Sequence, residues 1–244
     1  MTFDRFSYTI CISGEDMQDN IIKVLDHGHV RLVESMGSDL SIVRNARVSY
    51  DAEWRAGDDD GKDAKLLHYL LKNKHTSPFE SCVFTFDVKA PIFVFRQWHR
   101  HRTWSFNEIS ARYAELPEEF YVPELAQITT QSSSNKQMRT EEQHRDAEGV
   151  AEIIRSSSEA SFSHYHKLIL NGCPRELARS VLPVGTYSHM FATCDLHNLF
   201  HFLKLRLHSH AQYEIRVYAE AMLKLIEPVV PISTAAFREH ILGV

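Results

Sequence analysis

Residues 82–113 read CVFTFDVKAPIFVFRQWHRHRTWSFNEISARY, and both the fold and the chemistry of the chain turn on this stretch. Cys82, Phe84, Phe86 and Val88 alternate with Val83, Thr85, Asp87 and Lys89, the period-2 pattern of a strand with one apolar face. Pro91 then suits the first turn of a helix, which the spacing predicts from Ile92 to about His99. From Arg96 onward the polar content rises sharply. Arg96 and Arg100 share a helix face, and Arg102 falls where the helix should be ending. Aromatic residues interleave so tightly that several of these charges are expected to be partly buried. Buried arginines need anionic partners, and the segment itself supplies only Glu108. Guanidinium groups suit bidentate phosphate binding, and Ser110 to Arg112 enters a new turn where N–H groups are free to complete an anion cradle. The pattern favours a phosphate-bearing ligand over a solvated basic face.

Working outward, Phe6, Tyr8, Ile10 and Ile12 alternate as a strand would, and Val30, Leu32 and Val33 predict another. Ser38 caps a helix carrying Leu40, Ile42, Val43 and Ala46. Asp51 to Asp63 is acidic and reads as a solvated loop, followed by an amphipathic helix with Leu66, Leu67, Leu70 and Leu71. Gln127 to Lys136, or 127–139 at its widest, reads as a mobile loop. Thr140 and Gln143 form a capping-box pattern expected to open a long helix through Ile154 and Phe162, stopped by Asn171 and Gly172. Pro174 starts a short helix, and Asp195 caps the first of two more reaching Glu227. Strands come early and helices late. The expectation is a single α+β domain over 1–244, with a mixed or antiparallel sheet flanked by long helices.

The 244 residues carry 27 Lys+Arg against 32 Asp+Glu, a mildly acidic balance that argues against a dedicated nucleic-acid binder. Cys11, Cys82, Cys173 and Cys194 lie far apart with no CxxC pair, as in a reducing compartment. No apolar leader and no run long enough to span a membrane is visible, so a cytoplasmic protein without membrane partners is expected.

Arg100-His101-Arg102 followed after seven residues by Ser110 resembles the RHR-x7-S signature of flavin-dependent thymidylate synthases. The string RHRTWSFNEISARY matches the family's RHRxxSxNExSxRY pattern at every fixed position. Further similar blocks keep the family's order: His75 to Glu80, Arg96-Gln97-Trp98, Pro174 to Arg179, Leu205-Arg206, and Ser209 to Gln212. Together they span about Val24 to Glu227.

The resemblance implies reductive methylation of dUMP to dTMP, with 5,10-methylenetetrahydrofolate as carbon donor, FAD as hydride carrier and NADPH as reductant. It implies a homotetramer whose sites are shared between chains, and Arg206 as the catalytic residue, a fixed positive charge beside the uracil ring. By itself, Arg206 between Leu205 and Leu207 reads equally as a helix-surface arginine. The resemblance places Gln97, Trp98, His99, Arg100, Glu108, Ile109, Ser110, Ala111, Arg112, Arg179 and Arg206 around dUMP. It places Ser77, Arg100, His101, Arg102, Glu108, Asp195, His197 and His201 against FAD, with His75 beside the flavin. At Asp195, His197 and His201 the chain departs from relatives that carry Asn or Arg, and a helix cap is an equally good role for Asp195. No GxGxxG occurs, so a non-Rossmann mode of flavin binding is expected. No Cys lies within the motif blocks, so no cysteine nucleophile is expected, and Ser110 reads as a ligand hydrogen-bonder.

Two rival readings remain. The pairs His99/His101, His164/His166, His197/His201 and His208/His210 invite a metal site, but only His197/His201 has one-face helical spacing and no HExxH completes it. No metal is expected. A single-stranded RNA-binding module using Trp98, Trp104 and Phe106 beside the arginines rests on one short cluster in an acidic chain.

Overall fold

The predicted strand is β3 (Val83–Pro91), at the centre of a sheet described by a computed structural model covering residues 20–57 and 61–244. The strand predicted at Phe6 to Ile12 lies outside the described residues. β3 pairs with β2 (Gly28–Met36) on one side and β7 (Tyr187–Asp195) on the other. β1 (Ile21–Val24) and β4 (Ser105–Glu108) complete the order β1-β2-β3-β7-β4, antiparallel at every pairing. The alternation decides the two faces. Phe84, Phe86 and Val88 are fully buried with Val30, Met190 and Ala192, and each such phenylalanine contributes roughly 1.5–3 kcal/mol. Thr85, Asp87 and Lys89 face the other way, where Asp87 accepts from Arg31 at 2.7 Å and Lys89 pairs with Glu119 at 2.6 Å.

β7 corrects the order of strands early and helices late, because this strand follows the long helix in sequence yet lies between β3 and β4. Only pairing with β3, from Val83 opposite Asp195 to Pro91 opposite Tyr187, marks it out.

The helices largely follow their predicted signals. Ser38 precedes α1 (Asp39–Arg47), and α2 spans Lys62–Lys72. The Asp51 to Asp63 segment is not wholly a solvated loop: Glu53–Arg55 forms a 3-10 turn, and Asp63 is buried on α2 against Arg47 and the Gly57 N–H. Pro91 is the N-cap of α3 (Ile92–Trp98), and the first free N–H groups of that helix donate to the Thr186 and Val184 carbonyls at 3.0 Å.

The segment read as a loop at 127–139 contains a β-hairpin, β5 (Thr129–Gln131) with β6 (Arg139–Gln143). Thr140 and Gln143 therefore sit in a strand and are not a capping box. The long helix α4 (Ala147–Leu170) starts later, where Asp146 accepts from the Gly149 N–H at 3.1 Å, and it ends at Asn171 with Gly172 left-handed, as predicted. α5 (Arg175–Ala178), α6 (Leu196–Arg206), α7 (Tyr213–Ile226) and α8 (Pro231–Phe237) follow, α6 and α7 packing their apolar faces under the sheet. Among the described residues no helix is long and apolar enough to cross a membrane.

Candidate active site

α3 stops at Trp98, so Arg100 lies beyond the helix and does not continue the face of Arg96. What stops it is packing. Trp98 stacks on Phe202 of α6 with ring centroids 4.9 Å apart, and His101 and Trp104 meet the same ring at 4.9 and 5.2 Å. Phe202 and Arg206 are four residues apart on α6, so the contact that seats the turn also delivers the guanidinium to it. Arg206 Nε–H donates to His101 Nε2 at 3.1 Å, and Nη2 donates to the Gln97 carbonyl at 3.1 Å.

His101 is 7% exposed. Burial, with the charge of Arg206 and neighbouring His201 adding to it, pushes its pKa down to about 4. It is therefore a neutral imidazole at working pH, and its Nε2 lone pair is what Arg206 uses. Burial and the like charge of Arg100 lower the Arg206 pKa as well, yet a guanidinium stays charged. Arg206 is thus a half-buried cation beside a second cation. Its hydrogen-bond partners among the described residues are a neutral ring and a carbonyl.

A second groove, of about 550 Å³, gathers Glu108, Ile109, Ser110, Ala111 and Arg179 together with Arg96. β4 presents Glu108, whose carboxylate accepts from Ser188 Oγ at 2.6 Å. The turn that follows is closed by Ser110: its carbonyl accepts from the Tyr113 N–H and its hydroxyl from the Arg112 N–H at 3.3 Å. The expectation of buried arginines is corrected here. Arg96, Arg100, Arg102, Arg112 and Arg179 are all exposed, because the interleaved aromatics turn inward and leave the charges at the surface. Arg112 reaches Glu176 at 3.5 Å.

A third feature is an apolar slot of about 320 Å³ between α2, α6 and α8, lined by Leu71, Phe79, Phe200, Phe237, His197 and His201, with Lys74 and Lys204 at its edge. It shares Lys204 and Ile241 with a groove of about 700 Å³ that contains Arg206. Thr76 lines the slot, so the exposed Ser77 and His75 stand on either side of one of its wall residues.

Several predicted ligand residues have other roles in this chain. Trp98 is fully buried in the aromatic cluster and offers a ligand no side-chain surface. His99 packs its ring against Phe95 and Phe106. Asp195 caps α6, its two oxygens accepting from the Asn198 N–H at 2.8 Å and the Asn198 side chain at 2.6 Å, so the cap role is present in this chain. Arg102 is exposed in the turn. Cys82 and Cys194 are buried, burial pushing the first thiol up to about 12 and the second well above its ordinary value. Cys173 packs against the Phe162, Tyr165 and Ala178 cluster, and Cys11 is outside the described residues.

The expected histidine pairs enter neither group of three metal-capable side chains found among the described residues, His29/Asp87/His189 and His68/Glu239/His240. The first is a closed hydrogen-bonded set: both imidazoles meet one Asp87 oxygen and Arg31 holds the other. Burial pushes the Asp87 carboxyl up, but the hydrogen bonds from Arg31 and His189 outweigh it and leave the group below its usual range.

Arg139 and Glu214 carry no signal of their own in the sequence, and Gln212 enters there only within a family block with no role assigned. Glu214 is 3% exposed, and its carboxylate accepts from Arg139 Nη2 at 2.8 Å on both oxygens, from Gln212 Nε2 at 2.8 Å and from the Tyr121 hydroxyl at 3.2 Å. An acid at the start of a helix reads as a solvated cap, and only the hairpin across from it reveals the buried pair.

Exposed arginines around a polar groove beside a five-stranded antiparallel sheet suit an anionic ligand, and comparison with known proteins gives the class. Residues 31–232 match the family model described as thymidylate synthase complementing protein. The chain is 50% identical over 221 residues to a flavin-dependent thymidylate synthase of Thermus thermophilus, covering 91% of this chain and 79% of that protein. It is 47% identical over 229 residues to one of Ehrlichia ruminantium, covering 93% and 76%. A crystal structure of the UMP/dUMP methylase PolB from Streptomyces cacaoi bound with 5-Br dUMP superposes with a TM-score of 0.81 at 40% identity, covering 90% of this chain and 98% of that one. The chain belongs to the flavin-dependent thymidylate synthase family.

Proposed function

We propose that this enzyme methylates dUMP at C5 to give dTMP, taking the carbon from 5,10-methylenetetrahydrofolate and reducing power from NADPH, with FAD as its bound flavin. The observation that carries the reading is Arg206, a half-buried guanidinium beside Arg100 whose hydrogen-bond partners are the neutral His101 and the Gln97 carbonyl. Such a cation is suited to an anion that arrives with a ligand. C5 of uracil is a poor nucleophile, and negative charge placed on the N3 side of the ring makes it richer in electrons. Arg206 stabilises that charge without acting as a base, since its pKa stays far above working pH. His101 and the Gln97 carbonyl fix the orientation of the guanidinium, so little reorganisation is needed when the charge develops.

Arg179, Arg96 and the Ser110 hydroxyl, in the groove with Glu108 and Ile109, are the phosphate and sugar partners. The buried thiols support a route without cysteine addition to the ring. For the flavin, a cavity of about 320 Å³ walled by three phenylalanines fits a flat ring system and is small for a whole dinucleotide. When bound, the flavin supplies hydride transfer. His197, His201 and Phe200 would hold the ring, with the adjoining groove toward Arg206 open to the rest, a mode that uses no dinucleotide-binding βαβ unit. The phosphate groove and the Arg206 centre line different cavities of one chain, which supports sites that combine residues of several subunits, as the proposed homotetramer would provide.

The test is NADPH- and folate-dependent formation of dTMP from dUMP by the purified, yellow protein. Colourless protein that binds neither FAD nor dUMP in calorimetry sinks the reading.

A further inference from the structure

Four side chains join the β5–β6 hairpin to the turn that holds Arg206. Arg139 of β6 grips the buried Glu214 carboxylate, Gln212 Nε2 donates to Glu214 at 2.8 Å, and Gln97 Nε2 donates to Gln212 Oε1 at 2.6 Å. The backbone carbonyl of that same Gln97 accepts from Arg206. The chain of bonds has a direction. An ionised carboxylate only accepts, so the group of Gln212 that faces Glu214 must be its NH2. Its carbonyl oxygen is then turned to Gln97, and Gln97 must answer with its own NH2. The remaining atom, Gln97 Oε1, has no protein partner among the described residues.

We propose that Glu214, held by Arg139, sets the polarity of the Gln212–Gln97 amide pair so that Gln97 presents a hydrogen-bond acceptor to the nucleotide beside Arg206. An amide alone on a surface reverses freely, since its two ends are nearly isosteric. Here the reversed state would set the Gln212 carbonyl against the buried Glu214 carboxylate across a part-buried contact. The acceptor is a selective feature. At neutral pH dUMP has two N–H or O–H donors, the imide N3–H and the 3′-hydroxyl, and its phosphate and carbonyl oxygens accept only. Gln97 Oε1 therefore pairs with one of those two donors in the bound nucleotide before charge develops at N3, while the Arg206 guanidinium serves the acceptors and that charge. Glu214, Gln212 and Arg139 are positioning residues: they act through Gln97.

This inference rests on the reading of Arg206 and Gln97 as nucleotide contacts, and the experiment separates the two. In the flavin-loaded enzyme, Glu214→Gln removes the acceptor-only end and lets the amide pair reverse. The dUMP KM is expected to rise about tenfold, the scale of one lost hydrogen bond. The exchange Glu214→Gln with Gln212→Glu moves the carboxylate one link along. Glu at 212 then accepts from Gln97 Nε2 and from the new amide at 214, whose oxygen keeps Tyr121 and one of the two Arg139 contacts while the other is given up. The exchange should bring KM back to within about threefold of the parent, a rescue that a packing role for Glu214 would not produce. If Glu214→Gln does not fold, Gln212→Ala on the exposed link should raise KM by a similar factor. A folded Glu214→Gln enzyme with parental KM, an exchange variant no better than the single one, or parental KM in Gln212→Ala overturns the inference. Parental turnover and dUMP binding in Arg206→Ala would instead overturn the underlying reading of the site.

Discussion

Arg206 and His101, 105 residues apart in sequence, meet through a single bond from Nε–H to Nε2 at 3.1 Å. The bond exists only while the imidazole is neutral, and burial beside the guanidinium keeps it so. The middle residue of the Arg100-His101-Arg102 motif is therefore a support for the α6 arginine.

That support predicts how Arg206 responds to substitution. Arg206→Ala should lower kcat at saturating dUMP by about 100-fold or more, in the range found when a preorganised charge-stabilising donor is lost. Arg206→Lys should recover little, since one ammonium cannot reach His101, the Gln97 carbonyl and a ligand from the same geometry. Flavin absorbance per subunit should stay near the parental value in both. Parental turnover in the alanine variant would remove the electrostatic role.

The depressed pKa of His101 links stability to pH. The unfolded chain takes up a proton on this ring near 6.5, whereas the folded protein resists until about 4. Stability should therefore be fully present above about pH 6.5 and fall as pH drops toward 4, by up to about 1.4 kcal/mol per pH unit from this residue. Urea midpoints measured across that window in the parent and in His101→Gln would show it. An equally steep fall in the variant would assign the slope to other groups.

Asp39, on the first residue of α1, closes the start of α8. Its carboxylate accepts from the Ile232 N–H at 2.8 Å and from the Ser233 N–H at 3.0 Å, with the Ser233 hydroxyl at 2.5 Å. Asp39→Ala leaves these donors without their acceptor in a buried setting and should cost about 2 kcal/mol or more of unfolding free energy. Asp39→Asn should fall between the two. Urea unfolding followed by circular dichroism would measure both, and a loss under about 0.5 kcal/mol would show that water replaces the carboxylate.

Gly28 opens β2 where three groups crowd the backbone. An added Cβ would lie 2.6 Å from the Val24 carbonyl oxygen and 2.9 Å from that of Lys89, and would overlap the Tyr218 hydroxyl. Gly28→Ala should destabilise by about 2 kcal/mol or more. Adding Tyr218→Phe should recover only part of this in a double-mutant cycle, because the two carbonyls belong to the backbone and remain. Full recovery would place the whole clash at the hydroxyl.

Much of this was legible in one dimension. The alternation at Cys82 to Val88, the Pro91 start, the Asn171–Gly172 stop and the Asp195 cap are local signals, and each appears where it was read. The errors have a common origin. β7 was missed because its residues mean little until β3 pairs with them. The 127–139 segment reads as a loop because a short polar hairpin carries no apolar period. The arginines were expected inside because spacing cannot say which way an interleaved segment turns.

The sequence by itself determined the family, through a motif whose spacing matches at every fixed position, and the helix and strand signals that depend on neighbours a few residues away. Tertiary structure alone decided which polar groups meet. Arg206 reaches His101 because Phe202 gathers Trp98, His101 and Trp104 on one ring, and Glu214 reaches Arg139 because a hairpin folds back over the first turn of α7. Such bonds act between groups about 3 Å apart in space and far apart along the chain, so local periodicity carries no trace of them.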